Sequence, residues 1–184
     1  MIDTYKGVRD FYPEDERVQK YMFSTMRRVV ESFGYEEYAA SVLEPTELYT
    51  AKSSDEIVRE QTYTFEDRGG RSVTLRPEMT PTVARMVGAR RRDLGMPLRL
   101  YSIPNLFRYE RTQRGRLREH WQLNVDLFGA TESAADEEIV VVAYRLLREL
   151  GADDSMFQIR VNNRQLLQRS LNSALNDPSV YMEA

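Results

Sequence analysis

Residues 107–129 read FRYERTQRGRLREHWQLNVDLFG, and the alternation within this stretch decides the fold class. Side chains in a strand alternate faces. Trp121, Leu123, Val125 and Leu127 therefore share one face, and Gln122, Asn124 and Asp126 share the other. The first face is apolar throughout and belongs on a core. Arg108 and Glu110 likewise point one way from the preceding strand candidate, and residues 112–116, TQRGR, make a polar connection. A polar sheet face either turns to water or floors a ligand site. Asn and Asp are poor strand formers, so a long strand carrying both beside Gln has a reason if it lines a concave pocket. Arg111, Arg114 and Arg116, with Gln113, give the connection planar forks of donors suited to phosphate.

The flanking sequence fills in the architecture. Downstream of Pro104, LFRYER and LREHWQLNVDLF are strand candidates, and LRLYSI before it is another. Pro13, followed by Glu14, Asp15 and Glu16, opens a helix expected over 13–33, with Gly34 as its stop. YEEYAASVLEP reads as a strand or bent extended segment closed by Pro45, with a short helix around 46–49. TYTFED and RSVTLRP around Gly69–Gly70 signal a hairpin. Helices are expected over 79–92, with Pro81 in the first turn, over 133–150, and over NNRQLLQRSLNSAL (162–175). MFQIRV (156–161) reads as a strand. Antiparallel strands with separate helices indicate an α+β fold, a mostly antiparallel sheet flanked by helices. No dinucleotide-type glycine loop and no GxxxxGK[ST] phosphate loop is present.

Composition narrows the class. The 184 residues are 41% hydrophobic and 30% charged, which fits a folded domain with a core rather than a disordered or membrane chain. No apolar run is long enough to cross a bilayer, and the first residues lack the apolar stretch of a secretory signal. The chain has no cysteine and one histidine, His120. Disulfides and thiolate metal sites are thus excluded, and a protein-only zinc site would rest almost wholly on carboxylates. The net charge of -3 does not suit a DNA-coating protein. Yet Arg90, Arg91, Arg92, Arg99, Arg108, Arg111, Arg114 and Arg116 lie between Arg85 and Arg118, against only Asp93 and Glu110. That local field attracts phosphate or is simply a solvated surface.

The stretch 107–129 closely resembles motif 2 of the histidyl-tRNA synthetases, which are class II aminoacyl-tRNA synthetases. Other segments resemble the same family in its order: KGVRDFYPED its start, FGYEEYAASVLEPTELY its motif 1, TYTFEDRGGRSVTLRPEMTPTVARMV its hairpin and amino-acid-binding segment, and FQIRVNNRQLL the stretch before its inserted domain. The resemblance places motif 1 at about 29–49, the amino-acid-binding segment at 74–87 and motif 2 at about 104–129. It implies ATP with Mg²⁺, histidine, the acceptor end of tRNA(His), a homodimer through motif 1 and a cytoplasmic enzyme, with no membrane or DNA partner. By position, it implies that Arg108 contacts the ATP α-phosphate and stabilises the charge of adenylate formation. It puts Glu110 on the adenine side and Arg116 at the nucleotide or the tRNA. Gln113 and Arg114 are carried to the tRNA end, Glu78 and Thr80 to the amino group of histidine, and Gln122 and Asp126 to the amino-acid pocket.

Each assignment has a plainer alternative. Arg108 and Glu110 could form a surface pair, and Glu78 or Thr80 could cap the helix after Pro77. The family carries Glu where Asp126 stands, so this carboxylate is one methylene short, a gap a water can bridge. The family often reads Phe-His-Gln where this chain reads His120-Trp121-Gln122. His120 is accordingly expected to be packed or hydrogen-bonded rather than catalytic. No match to motif 3, the histidine-specific segment or the anticodon-binding domain occurs in the 184 residues. The expectation is a partial catalytic core with an open pocket and an exposed sheet edge: a piece of a synthetase, a truncated product, or a synthetase-like regulatory subunit of the histidine-biosynthesis type.

Overall fold

Helix α1 spans Pro13–Ser32. Proline occupies its first turn with Glu14, Asp15 and Glu16, whose charges suit the positive end of the helix dipole. At its other end Gly34 takes φ 83°. The Gly34 N–H donates to Glu31 O at 2.9 Å and the Tyr35 N–H to Val30 O at 3.3 Å, the paired bonds of a Schellman stop. This computed structural model describes residues 2–50 and 61–162.

After α1 the extended segment bends, as its sequence suggests. Glu36–Glu37 form β1, and Leu43–Pro45 form β2 in a different sheet. The short helix α2 covers Glu47–Thr50. Strands β3 (Tyr63–Glu66) and β4 (Ser72–Leu75) make the expected hairpin. Its turn is held by Asp67 Oδ1, which accepts from Gly69 N at 2.8 Å and Arg71 N at 3.0 Å. Helix α3 runs Thr80–Ala89, shorter than the expected 79–92. Then come β5 (Leu98–Ser102), β6 (Asn105–Phe107), β7 (Glu119–Trp121), β8 (Asn124–Phe128) and helix α4 (Glu132–Glu149).

Among the described residues three small sheets form: β1-β5-β8, β2-β4-β3 and β6-β7. Each pairing among the described strands is antiparallel except β1 with β5. The sequence stretch read as one long strand is therefore two. β7 pairs with β6, β8 pairs with β5, and the chain breaks at Gln122–Leu123, where the Gln122 N–H donates to Pro104 O at 3.1 Å. LFRYER also ends early, since β6 stops at Phe107.

The β1-β5-β8 sheet is covered on both sides, because alternation feeds two apolar clusters. Tyr101, Val125 and Leu127 join Val30, Tyr35 and Val142 on the α1–α4 side. Leu98, Leu100 and Phe128 pack against Tyr38, Met79, Val83, Val87 and Leu106 on the α3 side. The face bearing Asn124 and Asp126 is thus not polar throughout. Burying a side chain such as Leu106 or Val30, both at 0% exposure, contributes roughly 1.5–3 kcal/mol. A polar staple supplements the first cluster. Glu138 of α4 accepts from Arg99 Nε at 2.8 Å and Nη2 at 2.7 Å, and from Tyr35 Oη at 2.8 Å.

The chain divides into two units, residues 1–151 and 152–184. In the second, the Met156 N–H donates to Asp153 O at 3.0 Å. Residues 156–161 carry no strand, contrary to the reading of MFQIRV. The helix expected over 162–175 lies almost wholly outside the described residues.

Candidate active site

Arg108 leaves the end of β6 and meets two segments at once. Its backbone N–H donates to Arg118 O at 2.9 Å, closing the neck of the following loop. Its Nε donates to Pro77 O at 3.0 Å, across 31 positions of sequence. Pro77 opens the short run that carries Glu78 and Thr80 into α3. Both of those residues are exposed, and Met79 between them is buried in the α3 cluster. Met79 holds the N-cap position, and no side chain there caps the helix. The capping alternative for Glu78 and Thr80 is therefore not what the structure contains.

Glu110 does not share a strand face with Arg108. Its N–H donates back to Arg108 O at 2.9 Å, so the chain reverses there. Its carboxylate accepts from Arg116 Nε. That guanidinium holds the Glu110 carboxyl below the usual range, with burial opposing and Arg108 and His120 assisting. The loop tip is a tight turn. Arg116 N donates to Gln113 O at 2.9 Å, Gln113 N donates to Arg116 O at 3.1 Å, and Gly115 takes φ 77° at the third position, where a type II turn favours glycine. Gln113, Arg114 and Arg116 are exposed.

His120 pairs with Leu106 across β6–β7 and is partly buried. Burial lowers its pKa, the Arg108 charge lowers it further, and Glu110 opposes. Its environment thus favours the neutral imidazole, which lies close enough to Arg108 and Glu110 to feel both.

Gln122 and Asp126 occupy different surroundings, although strand parity groups them. Gln122 is exposed and donates through Nε2 to Asn124 Oδ1 at 3.3 Å. Asp126 sits deeper, and its buried Oδ2 has no hydrogen-bond partner among the described residues. Burial pushes its carboxyl up. The hydroxyls of Tyr38 and Ser102 are also buried and make no well-aligned hydrogen bond among the described residues, although they stand close to each other, and β5 places Leu100 and Ser102 opposite Asp126 and Asn124. Burial raises the Tyr38 phenol, Ser102 opposes, and Asp126 adds to the rise. Each unsatisfied buried polar group costs about 1–3 kcal/mol, which a ligand or water able to hydrogen-bond would recover.

Sequence reading missed Arg76. It is 6% exposed. Its Nε donates to Asn105 O at 3.0 Å, its Nη1 to Ala40 O at 2.9 Å, and its Nη2 to Asn105 Oδ1 at 3.0 Å. Asn105 donates in turn to Glu119 Oε1 at 3.0 Å. Arg76, Tyr38, Met79, Ser102, Asn105 and Trp121 line a cavity of about 330 Å³. The one sequence signal for Arg76 is its parity with Thr74, which is buried on β4.

The histidyl-tRNA synthetase family matches residues 7–179. A histidine–tRNA ligase of Leptospira biflexa is 53% identical over 169 residues, covering 92% of this chain and 39% of that protein. A histidyl-tRNA synthetase structure from Nostoc superposes with TM-score 0.79 at 25% identity, covering 96% of this chain and 40% of that one. A Bacillus halodurans chain described as an ATP phosphoribosyltransferase regulatory subunit/histidyl-tRNA synthetase gives TM-score 0.74 at 28% identity, over 84% of this chain and 39% of that one. The chain thus spans about two fifths of the length of these relatives. With this extent of match and the strand–loop–strand carrying Arg108, the chain belongs to the histidyl-tRNA synthetase family.

Proposed function

We propose that this chain carries the first part of the active site of a histidine–tRNA ligase, which activates histidine with ATP and transfers it to tRNA(His). The observation that carries the reading is the Arg108 Nε–Pro77 O bond of 3.0 Å. It brings the proposed ATP residue to the segment bearing Glu78 and Thr80, the proposed holders of the amino group. Arg108, Glu110 and Arg116 serve ATP in this reading, and Glu78, Thr80, Gln122 and Asp126 serve histidine. Gln113, Arg114 and Arg116 meet the acceptor end of the tRNA.

The chemistry asks for positioning and charge stabilisation rather than a side-chain nucleophile. The histidine carboxylate attacks the α-phosphorus of ATP, the bond to the β-phosphate oxygen breaks, and pyrophosphate leaves. A ribose hydroxyl of the tRNA end then attacks the adenylate carbonyl, its proton is released to solvent, and AMP leaves with the bonding pair. Arg108 neutralises charge that grows on the α-phosphate. Asp126, buried and short of a partner, accepts from the imidazole. Mg²⁺ enters as the companion of ATP. Among the described residues no group of three potential ligands could hold a metal ion, which suits an ion carried in mainly by the phosphates of ATP.

Motif 1 supplies the proposed homodimer contact: β2 lies at a sheet edge and Leu43 on it is 45% exposed. No helix among the described residues is long and apolar enough to cross a membrane, and the reading places the enzyme in the cytoplasm. Histidine-dependent pyrophosphate–ATP exchange tests the proposal. Arg108→Ala is expected to lose about 10²–10³-fold of the exchange rate. Exchange that is indifferent to histidine, or to Arg108→Ala, rejects it. A second reading, a regulatory subunit, draws on the description of the Bacillus halodurans chain; it expects a bound protein partner and no exchange.

A further inference from the structure

Arg118 stands at the closing end of the loop neck, outside the residues assigned above. Its guanidinium lies 4.1 Å from the centre of the Tyr109 ring and 5.7 Å from that of Tyr5. Its Nη1 donates to Tyr5 Oη at 3.1 Å. Tyr63 meets both rings edge-on, at 6.5 Å from Tyr5 and 5.3 Å from Tyr109. The backbone follows the same path. Arg118 N donates to Gly7 O at 2.7 Å, and Tyr109 N donates to Gln61 O at 2.9 Å. Two distant segments, around Tyr5 and Tyr63, therefore converge on Tyr109 and Arg118, the two residues that flank the loop.

Gly7 permits the approach. It takes φ 90°, and a Cβ there would stand 2.8 Å from Arg118 Cγ and Cδ and from Thr112 Cγ2. Only a residue without a side chain lets the N-terminal segment lie this close. Arg118 O in turn receives the Arg108 N–H at 2.9 Å, so a shift of Arg118 moves Arg108 directly.

We infer that the N-terminal strap Tyr5–Gly7, acting through Arg118 stacked between Tyr5 and Tyr109, sets the pitch of the 109–117 loop, and that Tyr5 and Arg118 are positioning residues for Arg108 and the Glu110–Arg116 pair. Its functional side rests on the ATP reading of Arg108 and Glu110; the placement of the loop does not.

The test is limited trypsin digestion of the full chain without nucleotide, following cleavage after Arg111, Arg114 and Arg116. Cleavage after Arg90, Arg91 and Arg92, exposed residues beyond α3, is the internal control. Tyr5→Ala and Gly7→Ala are expected to speed loop cleavage about tenfold over the control, as loss of a stacked cation contact opens a local segment. Tyr5→Phe keeps the ring and is expected to stay near wild type. Arg118→Lys keeps the charge but not the plane, and is expected to fall between. The ATP concentration giving half-protection of the loop should rise in the same order, with the urea midpoint of Tyr5→Ala unchanged, whereas Gly7→Ala also lowers the midpoint through its positive φ and its close contacts. Equal loop cleavage in Tyr5→Ala and wild type overturns the inference. So does a urea midpoint of Tyr5→Ala that falls in step with its cleavage, which marks plain unfolding. If ATP protects no variant, wild type included, the ATP reading fails, while the nucleotide-free cleavage order still decides the strap.

Discussion

Arg76→Met is expected to destabilise the chain by about 2–4 kcal/mol, from two opposed effects of several kcal/mol each. The guanidinium makes three bonds of 2.9–3.0 Å, to Asn105 O, Ala40 O and Asn105 Oδ1. A bond to a charged group contributes about 1.5–3 kcal/mol, and methionine leaves all three acceptors short of a donor. Against this, Arg76 is a buried cation, and burial is the main cause lowering its pKa. Removing it recovers part of the desolvation cost, which for a buried ion reaches several kcal/mol. The bonds win in this balance because the acceptors stay buried in the variant, whereas the fork satisfied them from one rigid plane. Methionine also fills much of the apolar volume, so the cavity contribution stays small. Trp121 is the only tryptophan and pairs with Asn105 across β6–β7, so its fluorescence in urea reports unfolding where Arg76 acts. Arg76→Lys, with charge but no fork, is expected to unfold at an intermediate urea concentration. A methionine variant as stable as wild type, or more so, would refute the reasoning by showing that desolvation outweighs the bonds.

Two further expectations concern stability. Burial raises the Asp126 carboxyl, so the folded state binds this proton more tightly than the unfolded chain does. Its stabilising share is present in acid, below the unfolded value, and is lost as pH rises through the folded value. Asp126→Asn should therefore gain stability over wild type at neutral pH and lose that advantage in acid, as read by urea midpoints across pH; a constant difference contradicts the assignment. Gly129→Ala meets Met96 Sδ at 2.9 Å and Cβ at 3.0 Å with φ 75°, whereas Gly70→Ala, at φ 74°, meets nothing within 4 Å. The second should cost about 1 kcal/mol for backbone strain alone, and the first clearly more; equal thermal midpoints would exclude the packing difference.

Much of the architecture was legible from local signals. Pro13 with its acidic neighbours and Gly34 bounded α1 because helix ends depend on a few adjacent residues. Gly69–Gly70 marked the hairpin for the same reason. Alternation in 123–127 named the core side of β8, since Leu123, Val125 and Leu127 all pack on the α1–α4 cluster. It could not reveal that β7 and β8 belong to different sheets: the break at Gln122–Leu123 follows from the partners β6 and β5, which are set by distant pairing. MFQIRV has strand-like composition without a ladder among the described residues, because backbone pairing and not propensity makes a strand.

The candidate site divides along the same line. From the sequence by itself came the residue types, the strand–loop–strand order, the basic loop and the likeness that named Arg108, Glu110, Glu78, Thr80, Gln122 and Asp126. Only the tertiary structure decided their company. It turned Glu110 onto Arg116 instead of leaving it beside Arg108, and it sank Asp126 near the buried Tyr38 and Ser102 hydroxyls while Gln122 stayed exposed. It also put Arg76, Tyr5 and Arg118 where they brace the rest. The physical reason is that strand parity and charge are properties of neighbours in sequence, whereas burial, hydrogen-bond partners and pKa depend on groups that only folding brings within reach.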